Sequence, residues 1–531
     1  MTNRNKTIAF YLGAFIFISE LSFGIWMTHW NHFIPGDAIS RVANAYYVLF
    51  SRNPHLGAIG FVWNPLPSLL MLPIILFSRW VPQLASEGIA GIIVTAFFAA
   101  GASFHLFRCF IKHKQQLVFS LFVVLLFAFN PFIFLYGSNG MSEILFIYFL
   151  IFCLTALLDW LDPENGTIPM IMMGFSLALA FFTRYESIIF GVGLALSLTL
   201  INWFSKRHEE GSGRLYWYQK WEATELIVLL PAIYSGIVWF VLNWSIMGDG
   251  FFFLRSNYSN LAQSEGLSKN PTIGPVIGDF SNVLIFVVER SLPFLIPFLA
   301  ILIIRTLRRQ LFKIDFLCLI LLIMSIPIMQ TMMLYRGASY GWLRFFAYPM
   351  PIVFAWLPYE LQKLKELARP LYVLGGCITL ILLSTSAFAI GLVMNNQRLA
   401  PEEYEAIHYK ESPTYSADRL AAQIAHDLDT LLKDNPNTSI LVDSFNGFRI
   451  ILTMKQSGRL VITSDLDFEK SLKHPVGEKI DYILVPKPEG VAALNAVNQQ
   501  YKNFYNNGED FAQLDKQYGD SWRLYQVVNS K

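Results

Sequence analysis

Apolar runs long enough to cross a bilayer recur along most of this chain, and that recurrence leaves few folds open to it. A helix needs about 20 predominantly apolar residues to traverse the ~30 Å hydrocarbon core. Runs of roughly this kind occupy 8–27, 88–110, 117–136, 143–160, 168–183, 188–204, 224–246, 284–304, 315–334, 344–360 and 370–393. Lipid cannot satisfy backbone N–H and C=O groups, so such runs must be helical. Residues 1–393 are therefore expected to form a polytopic α-helical membrane domain with about 11 transmembrane helices. Composition agrees: 54% of the 531 residues are hydrophobic and 15% charged, where a soluble domain carries about 25% charged. A net charge of +2 offers no footprint for nucleic acid. Cys109, Cys153, Cys318 and Cys377 all lie in apolar runs, with neither disulfide nor zinc spacing. The start, "MTNRNKTIAFYLGAFIFISELSFGIWM", has the basic end and apolar run of a signal peptide. No small-x-small cleavage site follows, so it reads as an uncleaved first helix.

Loop charge sets the orientation. The basic loops are "RCFIKHK" (108–114), "SKRHEEGSGRLYWYQK" (205–220), "RTLRRQLFK" (305–313) and "QKLKELAR" (362–369). Cytoplasmic loops are enriched in Lys and Arg, which places these loops and the N-terminus inside. Eleven crossings fit if 65–78 does not span; it is short and holds Pro65, Pro67 and Pro73. The loops 28–64, 137–142, 184–187, 247–280 and 335–343 then face outward, as does 394–531. That last stretch has an amphipathic helix, "ADRLAAQIAHDLDTLLKD", then the β-like runs "SILVDS", "RLVITSD" and "KIDYILVPK". It reads as a small extracytoplasmic α/β domain with a partly parallel sheet. Its Asp443, at the end of one run, shows no partner cluster.

Unusual residues gather in the outward loops. Ionisable groups at membrane depth are costly and are usually functional or paired. Asp37, in "PGDAISRVANAYY", precedes an amphipathic aromatic piece suited to the interface. It suits a general base for a hydroxyl, or equally a helix N-cap. In "NPFIFLYGSNGMSEILF" (130–146), Asn139 lies in a turn and Glu143 opens the next helix. Glu143 is either a second outer carboxylate or first-turn dipole chemistry. In "FFTRYESIIF" (181–190), Arg184 and Glu186 sit in a tight turn, as a hairpin-closing pair or as site lining. In "LYRGASYGWLRFFAYPMP" (334–351), Arg336 and Arg344 are mixed with Tyr335, Tyr340, Trp342 and Tyr348. Guanidinium binds phosphate bidentately; the plainer reading is an aromatic belt with snorkelling arginines.

Other signals are weaker. His29, His32 and His55 lack the pattern of a complete metal site. Glu20 in the first run and Glu289-Arg290 in the eighth read as structural pairs. The long polar loop at 247–271 suits a lid; its "NYS" at 257–259 is a short glycosylation match.

Taken in order, these places resemble the GT-C superfamily of membrane glycosyltransferases. The similarity is to members that use polyprenyl-phosphate sugars, such as protein O-mannosyltransferase and aminoarabinose-transferase relatives. The residues that carry it are an outer-loop aspartate (Asp37), the Pro-rich "WNPLPSLLMLP" (63–73), an acid after an outer turn (Glu143), and Arg344 in "LRFFAYP". The resemblance spans residues 1 to about 393. It implies inverting transfer of a hexose or pentose from a polyprenyl-phosphate donor to an extracytoplasmic acceptor hydroxyl on a glycan, lipid or protein. Asp37 would match the catalytic base, Glu143 the second carboxylate, and Arg344 with Arg336 the phosphate-binding group. Arg184, Glu186, Asn139 and Tyr340 would line the substrate site. The chain departs from the family pattern in having Ala38 after Asp37, no Asp-x-Asp near Glu143, and no "WWDYG". No cofactor is implied with certainty; a divalent cation is compatible with the family. The implied setting is a bacterial or archaeal cell membrane, with membrane lipid and the donor as partners.

Two other classes share part of the pattern. A transporter or lipid flippase would also have many helices and intramembrane charge, but more often shows repeats and broken midplane helices. No repeat is found here, and the charges gather toward one side. A non-catalytic scaffold would need no arginine-phosphate chemistry at all.

Overall fold

The computed structural model describes residues 2–162, 165–205, 214–264 and 266–528. Half of the basic loop at 205–220, residues 206–213, therefore lies outside the described residues. The chain is mostly helical with one small sheet. Eight described helices are long and apolar enough to cross a membrane: Asn3–Trp30, Ile89–Lys112, Glu143–Trp160, Ser187–Phe204, Leu215–Met247, Phe280–Leu307, Ile314–Tyr335 and Arg369–Met394. This is the signature of a polytopic helical membrane protein.

Three of the expected spans take another form. The 117–136 run is two helices, Leu117–Ala128 and Pro131–Gly137, bent by 66°. The break has a local cause: the Asn130 side chain accepts from the Phe132 N–H at 3.1 Å, and Pro131 opens the second helix. Counting the bent pair as one span gives nine. The helix Ile168–Phe181 has 14 residues, and Pro349–Leu367 carries Glu360, Lys363, Lys365 and Glu366 in its second half. The Leu66–Arg79 stretch is a shorter apolar helix, with Pro73 inside it.

The chain folds as two compact units. The first comprises 1–23, 95–242 and 264–407. In it Glu143–Trp160 packs on Ile168–Phe181, Ser187–Ser205 on Ile314–Tyr335, and Phe280–Leu307 on Arg369–Met394. Its core includes the fully buried Phe107, Phe127, Phe146, Phe294 and Trp356. Gly174 permits one close approach: a Cβ there would lie 2.8 Å from the Ile227 carbonyl oxygen.

Buried charge ties Phe280–Leu307, Ile314–Tyr335 and Pro349–Leu367 together. Arg305 is 0% exposed. Its guanidinium donates to Asp315 Oδ2 at 2.9 Å and to Glu360 Oε1 at 2.8 Å. Arg308 adds a 2.7 Å bond to Glu360, and the Trp356 indole donates to the same carboxylate at 2.9 Å. Part of the basic tract "RTLRRQLFK" is thus spent on internal pairing rather than on loop charge. The expected pairing of Glu289 with Arg290 is not adopted. Glu289 pairs with Arg398 at 3.0 Å, while Arg290 lies 3.4 Å over the Phe286 ring and donates to the Arg398 carbonyl. Glu20 is fully buried, with no hydrogen-bond partner for either carboxylate oxygen among the described residues.

The second unit comprises 24–94, 243–263 and 408–531. Residues 408–531 of the C-terminal stretch are thus grouped with the expected outer loop 28–64 and with the first part of the expected loop 247–280. Its sheet has five strands: β1 (Ile440–Val442), β2 (Leu460–Ile462), β3 (Tyr482–Pro486), β4 (Ala512–Tyr518) and β5 (Trp522–Val527). The order is β2-β1-β3-β5-β4. β1 runs parallel to both β2 and β3, with Leu441 opposite Val461 and Ile483; β3–β5 and β5–β4 are antiparallel. The three parallel strands correspond to the three β-like runs and are buried along nearly their whole length, as parallel strands must be. Leu441, Val461, Ile483 and Val485 form a core with Phe468, Val497, Phe504 and Tyr525. The amphipathic run forms the helix Pro413–Asp434, capped by Ser412 accepting from Thr414 N–H at 2.9 Å.

Candidate functional site

Asp37 lies in the second unit. The helix Gly36–Phe50 starts after Pro35, which holds an extended conformation (ψ 141°). Pro35 occupies the cap position and Asp37 the first turn, so the N-cap role open to Asp37 is not taken. The apolar residues Ala38, Ile39, Val42, Ala43 and Ala45 are buried against Leu66–Ile75 and the helix Ser444–Thr453. Arg41, also buried, donates to the Asp37 carbonyl oxygen at 3.2 Å and lies 5.7 Å from the Trp63 ring centroid. Arg52 pairs with Asp467 and approaches Asp465 to 3.6 Å.

The half-buried Asp37 side chain lines a cavity of about 760 Å³. Asn44, Tyr47 and Trp63 continue its wall; Tyr258, Asn446 and Trp522 come from elsewhere in the unit. The volume lies within the ~300–1,000 Å³ of small-molecule sites, and the mixture of aromatic faces with a few polar groups is their usual lining.

Asp443 fixes one wall of this cavity. It has a full set of partners, unlike the isolated acid expected from its sequence neighbourhood. Its Oδ1 accepts from Phe445 N–H at 2.8 Å and from Thr463 Oγ1 at 2.7 Å. Its Oδ2 accepts from Ala496 N–H at 2.6 Å and the Tyr258 hydroxyl at 3.1 Å. Burial pushes this carboxyl above its ordinary range, and these donors pull it partly back. Tyr258 also stacks near Phe445, with ring centroids 4.8 Å apart. The 247–271 loop, expected as a lid, is therefore pinned here at Tyr258.

The other expected site residues, Asn139, Glu143, Arg184, Glu186, Arg336, Tyr340 and Arg344, belong to the first unit, where several converge. Arg184 binds Glu143, bonds Glu186 at 2.6 Å and donates to Ser142 Oγ at 3.2 Å. Arg344 faces Glu143 at 3.5 Å and Glu402 at 3.3 Å. The Tyr136 hydroxyl donates to Glu403 at 2.6 Å. Burial raises the Glu403 carboxyl above the usual range, while the Tyr136 bond lowers it. Glu143, Glu403 and Arg344 are all buried. Arg344 is only 5% exposed and is already balanced by two carboxylates. Arg336 stands apart, exposed at the end of Ile314–Tyr335. Asn139 accepts from Met141 N–H at 3.0 Å and shapes the turn before Glu143. Tyr340 stacks on Trp342 at 5.5 Å, and packs against the cluster of Leu267, Val283 and Phe346.

Sequence reasoning missed Glu402, Glu403 and Tyr136. The available signal was "APEEYEAI": a helix opened by Pro401 with two acids in its first turn, which reads as ordinary dipole chemistry. It also missed the Arg305–Asp315–Glu360 network. Each of the three outer histidines has a local neighbour: His29 bonds Glu87 at 2.9 Å, His55 bonds the Asn53 carbonyl at 2.6 Å, and His32 lies against Tyr415. Among the described residues, no group of three or more His, Cys, Asp or Glu side chains is arranged to hold a metal ion. No protein-family model and no curated protein matches this chain.

Proposed function

We propose that this membrane protein is a glycosyltransferase of the GT-C kind. It would move a sugar from a polyprenyl-phosphate donor to an acceptor hydroxyl on the non-cytoplasmic side. The observation that supports the reading best is the placement of Asp37 on the wall of a large, aromatic-lined cavity. A carboxylate there can take the proton of an acceptor hydroxyl. The acceptor oxygen then forms a bond to the anomeric carbon. The bond from that carbon to the phosphate oxygen breaks, and polyprenyl phosphate leaves with the electron pair. Direct displacement inverts the anomeric centre.

The family resemblance assigns the donor's phosphate to Arg336 and Arg344. Of these, Arg336 is exposed, as an anion site requires, whereas Arg344 is buried against Glu143. Eleven crossings are reached by adding the bent pair, Ile168–Phe181 and Pro349–Leu367 to the eight long helices. With the basic loops and N-terminus inside, 408–531 then lies outside.

The test is sugar transfer by the purified full-length protein, supplied with polyprenyl-phosphate hexose and pentose donors and an envelope extract as acceptor. The reading expects acceptor-dependent release of polyprenyl phosphate. Release at the same rate without acceptor, or no release with any donor, contradicts it.

A further inference from the structure

The cavity beside Asp37 has a second wall whose topology marks it as a ligand site in its own right. From β1 the chain crosses to β2 on one side, and from β2 it returns to β3 on the other. β1 and β3 thus flank a point where the strand order reverses. Ligands of open α/β sheets bind outside the carboxyl ends of the strands at such a point. The residues that follow these strands line the cavity: Ser444 and Asn446 after β1, Thr463 and Ser464 after β2, Lys487 after β3.

Two residues of the cavity lining, Tyr47 and Ser464, carry buried hydroxyls that lack a partner among the described residues. Tyr47 is 3% exposed. Buried polar groups are normally satisfied, so each such group calls for an explanation. A hydroxyl-bearing ligand supplies one.

The charge pattern disfavours a strongly anionic ligand. Arg449 on the wall is engaged by Asp418 and donates to the Ile34 carbonyl at 2.8 Å. Lys487 is paired with Glu489 at 2.6 Å. The N-terminus of Ser444–Thr453, which could otherwise attract an anion, is already capped by the Asp443 carboxylate. Asp37 and Asp520 add negative charge. What the wall offers is aromatic faces (Trp63, Tyr258, Phe445 and Trp522) with amides and hydroxyls between them. Sugar rings present C–H faces to stack on aromatics and hydroxyls that both donate and accept.

We propose that this cavity binds a neutral oligosaccharide, held between the carboxyl edge of the parallel sheet and the Asp37 helix. Its identification as the acceptor rests on the transferase reading; its binding does not. The full-length protein is titrated, without donor, with neutral gluco-, manno- and chito-oligosaccharides, and with oligogalacturonate and inorganic phosphate as anionic comparators. Tryptophan fluorescence reports binding, with Trp63 and Trp522 on the wall. A neutral oligosaccharide is expected to bind saturably, with Kd tighter than about 1 mM. Tyr47→Phe, which keeps the ring, should weaken it about fivefold to tenfold, the worth of roughly one hydrogen bond. Asn446→Ala should weaken it similarly. Failure of every neutral saccharide to bind, tighter binding of the anions, or unchanged affinity in both variants overturns the proposal. Saccharide binding with no transfer activity would leave the site standing and remove the catalytic reading. Transfer without saccharide binding would do the opposite.

Discussion

Arg344 shows how a buried guanidinium can be structural before it is chemical. It faces Glu143 and Glu402, and Glu143 is shared with Arg184. Removing one partner of a buried pair leaves charge uncompensated, at a cost of about 3–5 kcal/mol. Arg344→Ala should therefore lower the thermal unfolding midpoint clearly, and Arg344→Met combined with Glu143→Gln should recover part of the loss. An unchanged midpoint in Arg344→Ala would contradict the network. Gly137 offers a steric counterpart. A Cβ on it would fall well inside van der Waals contact of the Glu20 carboxylate. Gly137→Ala should destabilise by about 1 kcal/mol, the low end of overpacking, because the Glu20 carboxylate is the free end of a flexible side chain. Glu20→Ala in the same chain should relieve it, and equal midpoints with and without Glu20→Ala would refute the contact. At this scale the sequence was informative only where partners are near in the chain. Arg184 and Glu186 share one turn, so their pairing was legible. Arg344, Glu143 and Glu402 come from distant stretches, and nothing local announces that they meet.

Among the elements, the parallel strands were the easiest to read and the antiparallel hairpin the hardest. β1, β2 and β3 are short apolar runs because both of their faces are covered. β4 has five consecutive exposed residues between its buried ends, so "AQLDKQY" resembles a polar loop. Its turn to β5 runs through Gly519 at φ +56°, a conformation glycine adopts without strain. The end of β1 also carries a pH dependence. The Asp443 carboxyl is raised above its ordinary value by burial, and Asp418 and Asp465 shift in the same direction for the same first cause. A group raised in the folded state binds more protons there than when unfolded. Its stabilisation is present below the unfolded carboxylate pKa, about 3.9, and is lost as pH rises through the folded value. The unfolding midpoint of this unit should fall across that window, and Asp443→Asn should flatten the slope. A slope that is unchanged in Asp443→Asn would assign the effect elsewhere.

For the molecule as a whole, hydropathy made the membrane class legible, because no other fold accommodates so many apolar runs. The number of crossings was harder. The runs around the Asn130-Pro131 break, the 14-residue Ile168–Phe181 helix and the first half of Pro349–Leu367 are all apolar enough to look like ordinary spans. Nor did the sequence reveal that 24–94 and 243–263 group with 408–531, since that association depends on tertiary packing. The central claim is that Asp37 serves as the base in sugar transfer, and one comparison tests it most directly. A deletion strain is complemented with the wild-type chain or with Asp37→Asn at equal membrane levels, and its envelope glycans, lipids and proteins are weighed by mass spectrometry. The account predicts that the wild type restores a sugar-bearing product. Asp37→Asn should form it about 10²–10⁴-fold more slowly, the typical contribution of one positioned general base. Equal restoration by both would contradict the account.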